Sequence, residues 1–190
     1  FTNTNDAWYG RYIYNKEVLA TPFAIYRPTD GRPPIVIPAG EYAFSEVLLA
    51  MQMGTQRKWS GNANIQGGQY YNGDHMQYKG NVTWRPNRHF SADVSMTLDD
   101  IELPAGNFLV RQIGFTTVYA FSARLSWSNL IQYDNISENL GINSRLHWIP
   151  KAGQQAFVVL NWGLIDPDKD NSFDSTVADL SLKFNYTFRF

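Results

Sequence analysis

The chain has 190 residues, a formal net charge of -1 and no cysteine. This length suits one domain, the near-neutral charge gives no electrostatic reason to expect nucleic acid, and the absence of thiols excludes disulfides, cysteine nucleophiles and thiolate metal sites. Charged residues make up 17% of the chain, below the average of about 25% for soluble proteins, and no apolar run is long enough for a membrane helix. Because the chain starts at Phe1 without a signal-peptide pattern, we expect a processed product or a fragment of a longer chain.

Residues 1–38 are predicted to be an irregular, proline-rich N-terminal segment. The stretch AWYGRYIY at 7–14 and other short apolar pieces are interrupted by prolines, which cannot donate to a strand ladder. These prolines are Pro22, Pro28, Pro33, Pro34 and Pro38. Extra strands, a plug and a periplasmic linker all stay open for this segment.

From residue 39 onward, apolar and polar residues alternate in successive segments. Alternation with a period of two predicts strands with one apolar and one polar face. In chain order, the predicted strands are 42–53, 58–69, 75–85, 89–99, 108–121, 123–133, 138–149, 156–162 and 180–190. The segments 108–121 and 156–162 are apolar on both faces in places, so the facing of these two stays open. The segment 42–53 is predicted to be a strand, although its LLAM core is also compatible with a helix.

The connections between these segments are predicted to be of two kinds. Tight turns at 54–57, 85–88, 121–124 and 150–153 alternate with the connections at 71–74, 103–106, 134–138 and 164–175, which include the longer loops. Short turns at one rim and longer loops at the other are typical of an outer-membrane β-barrel. A Greek-key sandwich gives no reason for this alternation.

The last predicted strand, LSLKFNYTFRF at 180–190, carries a more specific signal. It fills the window of about 9–11 residues that a tilted membrane-crossing strand needs, whereas soluble strands are typically about five or six residues long. Phe184, Tyr186, Phe188 and Phe190 resemble the C-terminal assembly signal of bacterial outer-membrane barrels. The resemblance implies recognition by the barrel-insertion machinery.

A wider resemblance covers most of the chain from Ile37. It is carried by IPAGEY at 37–42, GGQYYNGD at 67–74, RPNRHF at 85–90, LPAGNF at 103–108, YAFSARLSWSNLIQYDN at 119–135, NLGINSRLHWIPKAG at 139–153 and FVVLNWG at 157–163. These segments resemble poorly characterised outer-membrane proteins in which a family-9 carbohydrate-binding-like domain precedes a C-terminal barrel. The N-terminal domain is missing here, so its carbohydrate binding is not transferred to residues of this chain.

Charged residues on the predicted polar faces are the candidate lumen-facing set. They are Lys79, Arg85, Asp93, Asp99, Arg145, His147, Asp179, Lys183 and Arg189. Both signs of charge occur, so a closed interior must pair them. A salt-bridged filling and the selectivity filter of a water-filled pore are the two interpretations.

Catalytic and metal sites have weaker support in the sequence. Asp166, Asp168 and Asp170 alternate like the start of a calcium loop, but Asn171 and Val177 replace the turn glycine and the bidentate glutamate, which favours a solvated loop. The three histidines fall on polar faces, whereas an outer-membrane lipase would need a histidine and a serine on the lipid face. We therefore expect neither an enzyme nor a cofactor.

The sequence as a whole predicts an all-β, antiparallel transmembrane barrel of about 9–11 strands. Its expected location is the bacterial outer membrane. We expect a pore or transport-related channel, with saccharides as cargo by family association only. The alternative is a non-conducting barrel that anchors a missing domain or a partner subunit, and a hydrolase ranks third. Expected partners are outer-membrane lipid, the insertion machinery, and other chains or a missing N-terminal portion, but no nucleic acid.

Overall fold

The computed structural model describes residues 5–29, 31–166 and 172–187, and this part of the chain contains strands and turns but no helix. The strands are β1 (Ala7–Leu19), β2 (Phe23–Tyr26), β3 (Ile35–Ile37), β4 (Gly40–Gln52), β5 (Trp59–Tyr70), β6 (Gly73–Asn87), β7 (Phe90–Leu103), β8 (Gly106–Ser122), β9 (Leu125–Asp134), β10 (Asn139–Trp148), β11 (Gln154–Ile165) and β12 (Asp174–Tyr186). The all-β expectation is confirmed.

Ten of these strands form one antiparallel sheet in the order β1-β4-β5-β6-β7-β8-β9-β10-β11-β12, and β2 and β3 pair separately. This strand number lies within the predicted range of nine to eleven. Within the described residues the sheet is not closed into a barrel, because β1 and β12 are its two edges. The chain divides into two compact units.

The first unit comprises the chain up to residue 54 together with 61–80 and 96–111. Its first strand, β1, lies in the segment predicted to be irregular, and it pairs with β4 from Ala7↔Gln52 to Leu19↔Gly40. The register also settles the facing of β4. Phe44 and Leu48 are buried, whereas Val47 and Leu49 are more than half exposed. We call the side of the buried residues the polar face of this unit, because it also carries Glu46.

The β2–β3 hairpin supplies the apolar core of the first unit. Ile35 and Ile37 of β3 are buried against Ile101 and Leu103 of β7. Tyr26 of β2 and Phe108 of β8 stack with ring centroids 4.7 Å apart. The remaining packing partners are Leu19, Ile25, Tyr42, Tyr70, Tyr71 and Val110. Part of the proline-rich segment therefore forms a packed cap on this unit.

The second unit comprises 55–60, 81–95 and 112 onward. In β9 to β12, the registers place large apolar residues on one side, as in Trp127↔Leu146 and Leu146↔Val158. The same side continues through Val158↔Leu182. We call it the apolar face, and the opposite side is the polar face of this unit.

The lengths of the connections differ from the predicted alternation of tight turns and longer loops. The β5–β6 link has two residues, Tyr71 and Asn72, and the β7–β8 link has two, Pro104 and Ala105. They are as short as the β6–β7 link, where the Asn87 side chain accepts hydrogen bonds from two backbone N–H groups. The predicted tight turns at 54–57 and 150–153, by contrast, lie in links of six and five residues, 53–58 and 149–153, which are longer than the four-residue β9–β10 link of the predicted loop set. Short and longer links therefore occur in both predicted sets, and the predicted contrast between two rims is wrong.

Candidate functional site

A buried imidazole between two carboxylates is the central feature on the polar face of the first unit. His75 of β6 contacts Glu46 of β4 through Nε2 and Asp99 of β7 through Nδ1, the latter at 3.1 Å. His75 is 8% exposed and Glu46 6%. Because both ring nitrogens face carboxylate oxygens, only the doubly protonated ring can donate to both.

Neutral amides complete the hydrogen bonding of the two carboxylates. Asn15 of β1 donates to Glu46 Oε2 at 3.0 Å, and Gln66 of β5 donates to Oε1 at 3.2 Å. Gln77 of β6 donates to Asp99 Oδ2 at 2.8 Å. A buried charge is tolerated when it is paired and its remaining lone pairs are satisfied. Five strands thus contribute to a satisfied network, which we call the Glu46–His75–Asp99 cluster.

A glycine makes room for this cluster. Gly68 lies directly opposite Glu46 in the β4–β5 register and has a φ of 146°. A Cβ at this position would collide with the Ser45 carbonyl oxygen and would lie 2.9 Å from the Glu46 Cα. Only glycine allows the two strands to approach in this conformation.

Two aromatic residues lie next to the cluster, at the end of β5 and in the turn that follows it. The Tyr70 ring stacks on His75 with centroids 4.9 Å apart, and Tyr71 lies in the following turn. The Tyr71 hydroxyl donates to Glu17 Oε2 at 2.6 Å. Burial and this hydrogen bond raise the pKa of Tyr71, so the phenol stays protonated as the donor. Tyr71 adopts a φ of 52°, a conformation that is rare for an aromatic residue and is held here by these contacts.

The polar face of the second unit carries two smaller groups of contacts. Asn81 and Thr83 of β6 both donate to Asp93 Oδ2 of β7, each at 2.6 Å. Arg85 donates to the buried Ser60 hydroxyl at 2.8 Å. Two members of the predicted lumen-facing set, Asp93 and Arg85, therefore have neutral partners here.

A groove of about 490 Å³ lies further along the polar face of the second unit, on β10, β11 and β12. The Arg145 guanidinium carbon lies 4.5 Å from the centroid of the Phe157 ring. Lys183 is directly opposite Phe157 in the register. Asp179 shares this face and accepts a hydrogen bond from Ser181 at 2.7 Å.

The three histidines have different surroundings. His75 contacts two carboxylates, His89 contacts the Ala120 carbonyl and Arg88, and the Nε2 of His147 is buried without a hydrogen-bond partner. None of these observed partners is a hydroxyl group. Within the described residues, no histidine is therefore hydrogen-bonded to a serine or threonine side chain.

The remaining predicted site residues fall partly outside the described residues. Phe188, Arg189, Phe190, Asp168 and Asp170 lie there. Asp166 is described and is buried, with its backbone N–H bonded to the Glu138 carbonyl at 3.2 Å. Among the residues that the structure describes, no three histidine or acidic side chains are arranged so that they could hold a metal ion.

The apolar face of the second unit contains a line of polar side chains that the sequence pattern does not indicate. Trp127 donates to Ser144, Ser144 to Asn129, and Asn129 to Thr117 of β8. The distances are 2.8, 2.7 and 3.2 Å in that order. Because each of these three donors has an acceptor, these polar groups find their hydrogen-bond partners within the sheet.

Comparisons with protein families, with curated proteins and with solved structures give no match for this chain. Among the described residues, there is no helix with the length and apolar character to cross a membrane.

Proposed function

We propose that the protein is an integral β-barrel of the bacterial outer membrane. The observation that supports this most directly is the exposure of large apolar side chains at alternate strand positions. In the second unit, those between 36% and 77% exposed include Trp127, Ile131, Leu146, Trp148, Val158, Leu160, Trp162, Leu180, Leu182 and Phe184. Soluble monomers rarely expose contiguous apolar patches above a few hundred Å². Lipid is the solvent that suits such a face.

In this proposal, β1 and β12 pair with each other. The two edge strands have 13 residues each, and nine successive antiparallel pairings make β12 run opposite to β1. Each unpaired backbone group in hydrocarbon costs several kcal/mol, so an open edge is not tolerated there. Closure would give ten strands, in agreement with the even strand numbers of bacterial single-chain barrels.

The function that the first unit supports best is that of a barrel that does not conduct and anchors a domain or partner subunit. Its polar face holds the β2–β3 hairpin and the Glu46–His75–Asp99 cluster, and both are packed with satisfied contacts. An open pore would have water at these positions. A filled interior stabilises the fold but leaves no continuous path for solute.

Conductance in planar bilayers tests this function. Protein folded in detergent should insert without channel activity, whereas a variant with residues 20–39 replaced by a Gly/Ser linker should conduct. A Gly/Ser replacement of residues 150–153, which form the β10–β11 turn, is the control and should remain silent. Steady single-channel currents from the unmodified protein would contradict the closed-barrel proposal.

A pore is the second candidate, and the groove on the polar face of the second unit favours it. This groove of about 490 Å³ is lined by Arg145, Lys183 and three asparagines, without an apolar plug. The same recordings separate the candidates. A pore predicts currents from the unmodified protein, with a preference for anions because cations line the groove.

The membrane claim itself has a separate test. A monodisperse monomer that stays folded without detergent or lipid would contradict it, since the apolar side chains named above would then be in water.

A further inference from the structure

The groove on the polar face of the second unit combines fixed charge with hydrogen-bonding groups. Its cations are Arg145 of β10 and Lys183 of β12. The other lining residues are Asn143, Phe157, Val159, Asn161, Ser181 and Asn185. The volume of about 490 Å³ exceeds what a single inorganic ion occupies and suits a small organic molecule.

The Arg145 side chain is oriented before any ligand binds. Its guanidinium lies over the Phe157 ring at 4.5 Å, and Phe157 is itself only 9% exposed. His147 stacks on the same ring with centroids 4.4 Å apart, which fixes the ring further. A guanidinium held by its face keeps its N–H edges free, and those edges match a carboxylate or phosphate in a bidentate geometry.

The groove has an excess of positive charge. Neither Arg145 nor Lys183 forms an ion pair within the described part of the chain. The carboxylate on the same face of β12 as Lys183, Asp179, is opposite Asn161 and is hydrogen-bonded by Ser181. Lys183 is four register positions away, opposite Phe157. Two cations and one carboxylate leave a net positive site that attracts anions.

The amides of the groove supply donors and acceptors beside the cations. Asn143 donates to the Asn161 carbonyl at 2.5 Å, so the Asn143 carbonyl and the Asn161 amino group remain for a ligand. Asn185 adds a third amide. Pairs of amide donors and acceptors are suited to hydroxyl groups, which both donate and accept.

We propose that this groove binds a hydroxylated organic anion through Arg145 and Lys183, with the three asparagines contacting its hydroxyl groups. The anionic group is a carboxylate or a phosphate monoester. This site goes beyond the proposed membrane function. Because binding is measured on folded protein in detergent micelles, its outcome does not depend on whether the barrel conducts.

Four probes in calorimetric titrations test the proposal. Gluconate and glucose 6-phosphate should bind, and their neutral counterparts sorbitol and glucose should bind at least tenfold more weakly. The difference in affinity between gluconate and glucose 6-phosphate identifies whether the site prefers a carboxylate or a phosphate monoester. Equal binding of charged and neutral probes would overturn the proposal. Inorganic phosphate binding as tightly as glucose 6-phosphate would overturn the role of the hydroxyl groups.

Variants then assign the site. Arg145→Gln and Lys183→Gln should each weaken gluconate or glucose 6-phosphate binding about tenfold, the usual effect of removing one charge-assisted hydrogen bond. Arg145→Lys should restore only part of the affinity, because an ammonium cannot bind bidentately. Lys79→Gln, on β6, is the control and should bind normally. If the folded Arg145→Gln and Lys183→Gln variants bound the probes as tightly as the unmodified protein, the groove would be excluded as the binding site. Lys183 lies on an exposed edge strand, so its variant remains informative if Arg145→Gln does not fold.

Discussion

At the scale of residues, the first unit contains a buried histidine between two carboxylates. Glu46 and His75 are both under 9% exposed, and Asp99 completes the contact. Breaking a buried ion pair by removing one partner typically costs about 3–5 kcal/mol, because the remaining charge is left uncompensated. The amides of Asn15, Gln66 and Gln77 cannot replace a cation, since they only donate neutral hydrogen bonds.

The cluster gives the first prediction. His75→Ala should lower the free energy of unfolding by about 3–5 kcal/mol in urea titrations in detergent, because the buried carboxylate of Glu46 and the partly buried carboxylate of Asp99 lose their shared partner. The triple variant Glu46→Gln, His75→Ala, Asp99→Asn removes the charges together and should recover part of this loss. His89→Ala, at a partly buried turn, is the control and should cost much less. If His75→Ala lowered the free energy of unfolding only slightly, the cluster would not be what stabilises the unit.

The second prediction concerns the two faces of one strand in the second unit. Val94 of β7 is half exposed on the apolar side, and Ser95 faces Gly114, where a Cβ would lie 2.5 Å from the serine hydroxyl. Val94→Arg should destabilise the protein in lipid by about 2–4 kcal/mol, the cost of a cation at the midplane on the lipid face. Ser95→Arg should cost less, because the added charge meets a polar interior. Urea unfolding in lipid vesicles measures both, and equal costs would refute this facing.

At the scale of elements, the β2–β3 hairpin covers part of the polar face of the first unit. Ile37 is fully buried, whereas its neighbour Val36 is half-buried. The alternation along β3 places Ile35 and Ile37 against Ile101 and Leu103 of β7. A three-residue strand is too short to be stable alone, so this packing holds the hairpin in place.

The third prediction follows from that packing. Ile37→Ala should lower the free energy of unfolding by about 2–5 kcal/mol, through lost apolar contact and the cavity left behind. Val36→Ala is the matched control and should cost clearly less. Hydrogen exchange should also show faster opening of 23–26 and 35–37 in the Ile37 variant. Equal effects of the two substitutions would mean that the hairpin is not held by the buried side of β3.

The strands of the main sheet were predictable because their alternation is strong. The segments 75–85 and 138–149 correspond closely to β6 and β10, and the facing of Trp84 and Leu146 agrees with the observed registers. For β1 the sequence leaves an extra strand as one of three alternatives, because the prolines at 22–38 interrupt the pattern that follows it. Its signal was present: Trp8, Tyr12 and Tyr14 occupy alternate positions and are exposed on one face.

The Glu46–His75–Asp99 cluster could be predicted only in part. His75 and Asp99 fall on polar faces in the sequence, but Glu46 stands in an apolar segment whose facing depends on its pairing with β1 and β5. Contacts among β4, β6 and β7 are set by strand register, which a single sequence does not specify. One signal was available. Glu46 interrupts the apolar run from Ala43 to Met51 as its only charged residue.

At the scale of the whole molecule, the central claim is that the ten-stranded sheet closes between β1 and β12 in a membrane. The chain has no cysteine, so two introduced cysteines can form only the intended disulfide within a monomer. Tyr12 of β1 and residues 178, 180, 182 and 184 of β12 are on the apolar side of their strands. A disulfide requires Cα atoms within about 7 Å, so it reports direct strand pairing.

The decisive measurement combines Tyr12→Cys with a cysteine at 178, 180, 182 or 184 in turn, followed by oxidation of the protein in outer-membrane vesicles. We predict a monomer with an internal disulfide for one or two neighbouring pairs and not for the others, because a closed barrel has one register. Tyr12→Cys with Phe115→Cys is the control. Phe115 lies on β8, which is not an edge strand of the sheet, so this pair should not crosslink within a monomer. If no pair with β12 closes, or if only crosslinked dimers form, the edges are not partners and the closed-barrel account is wrong.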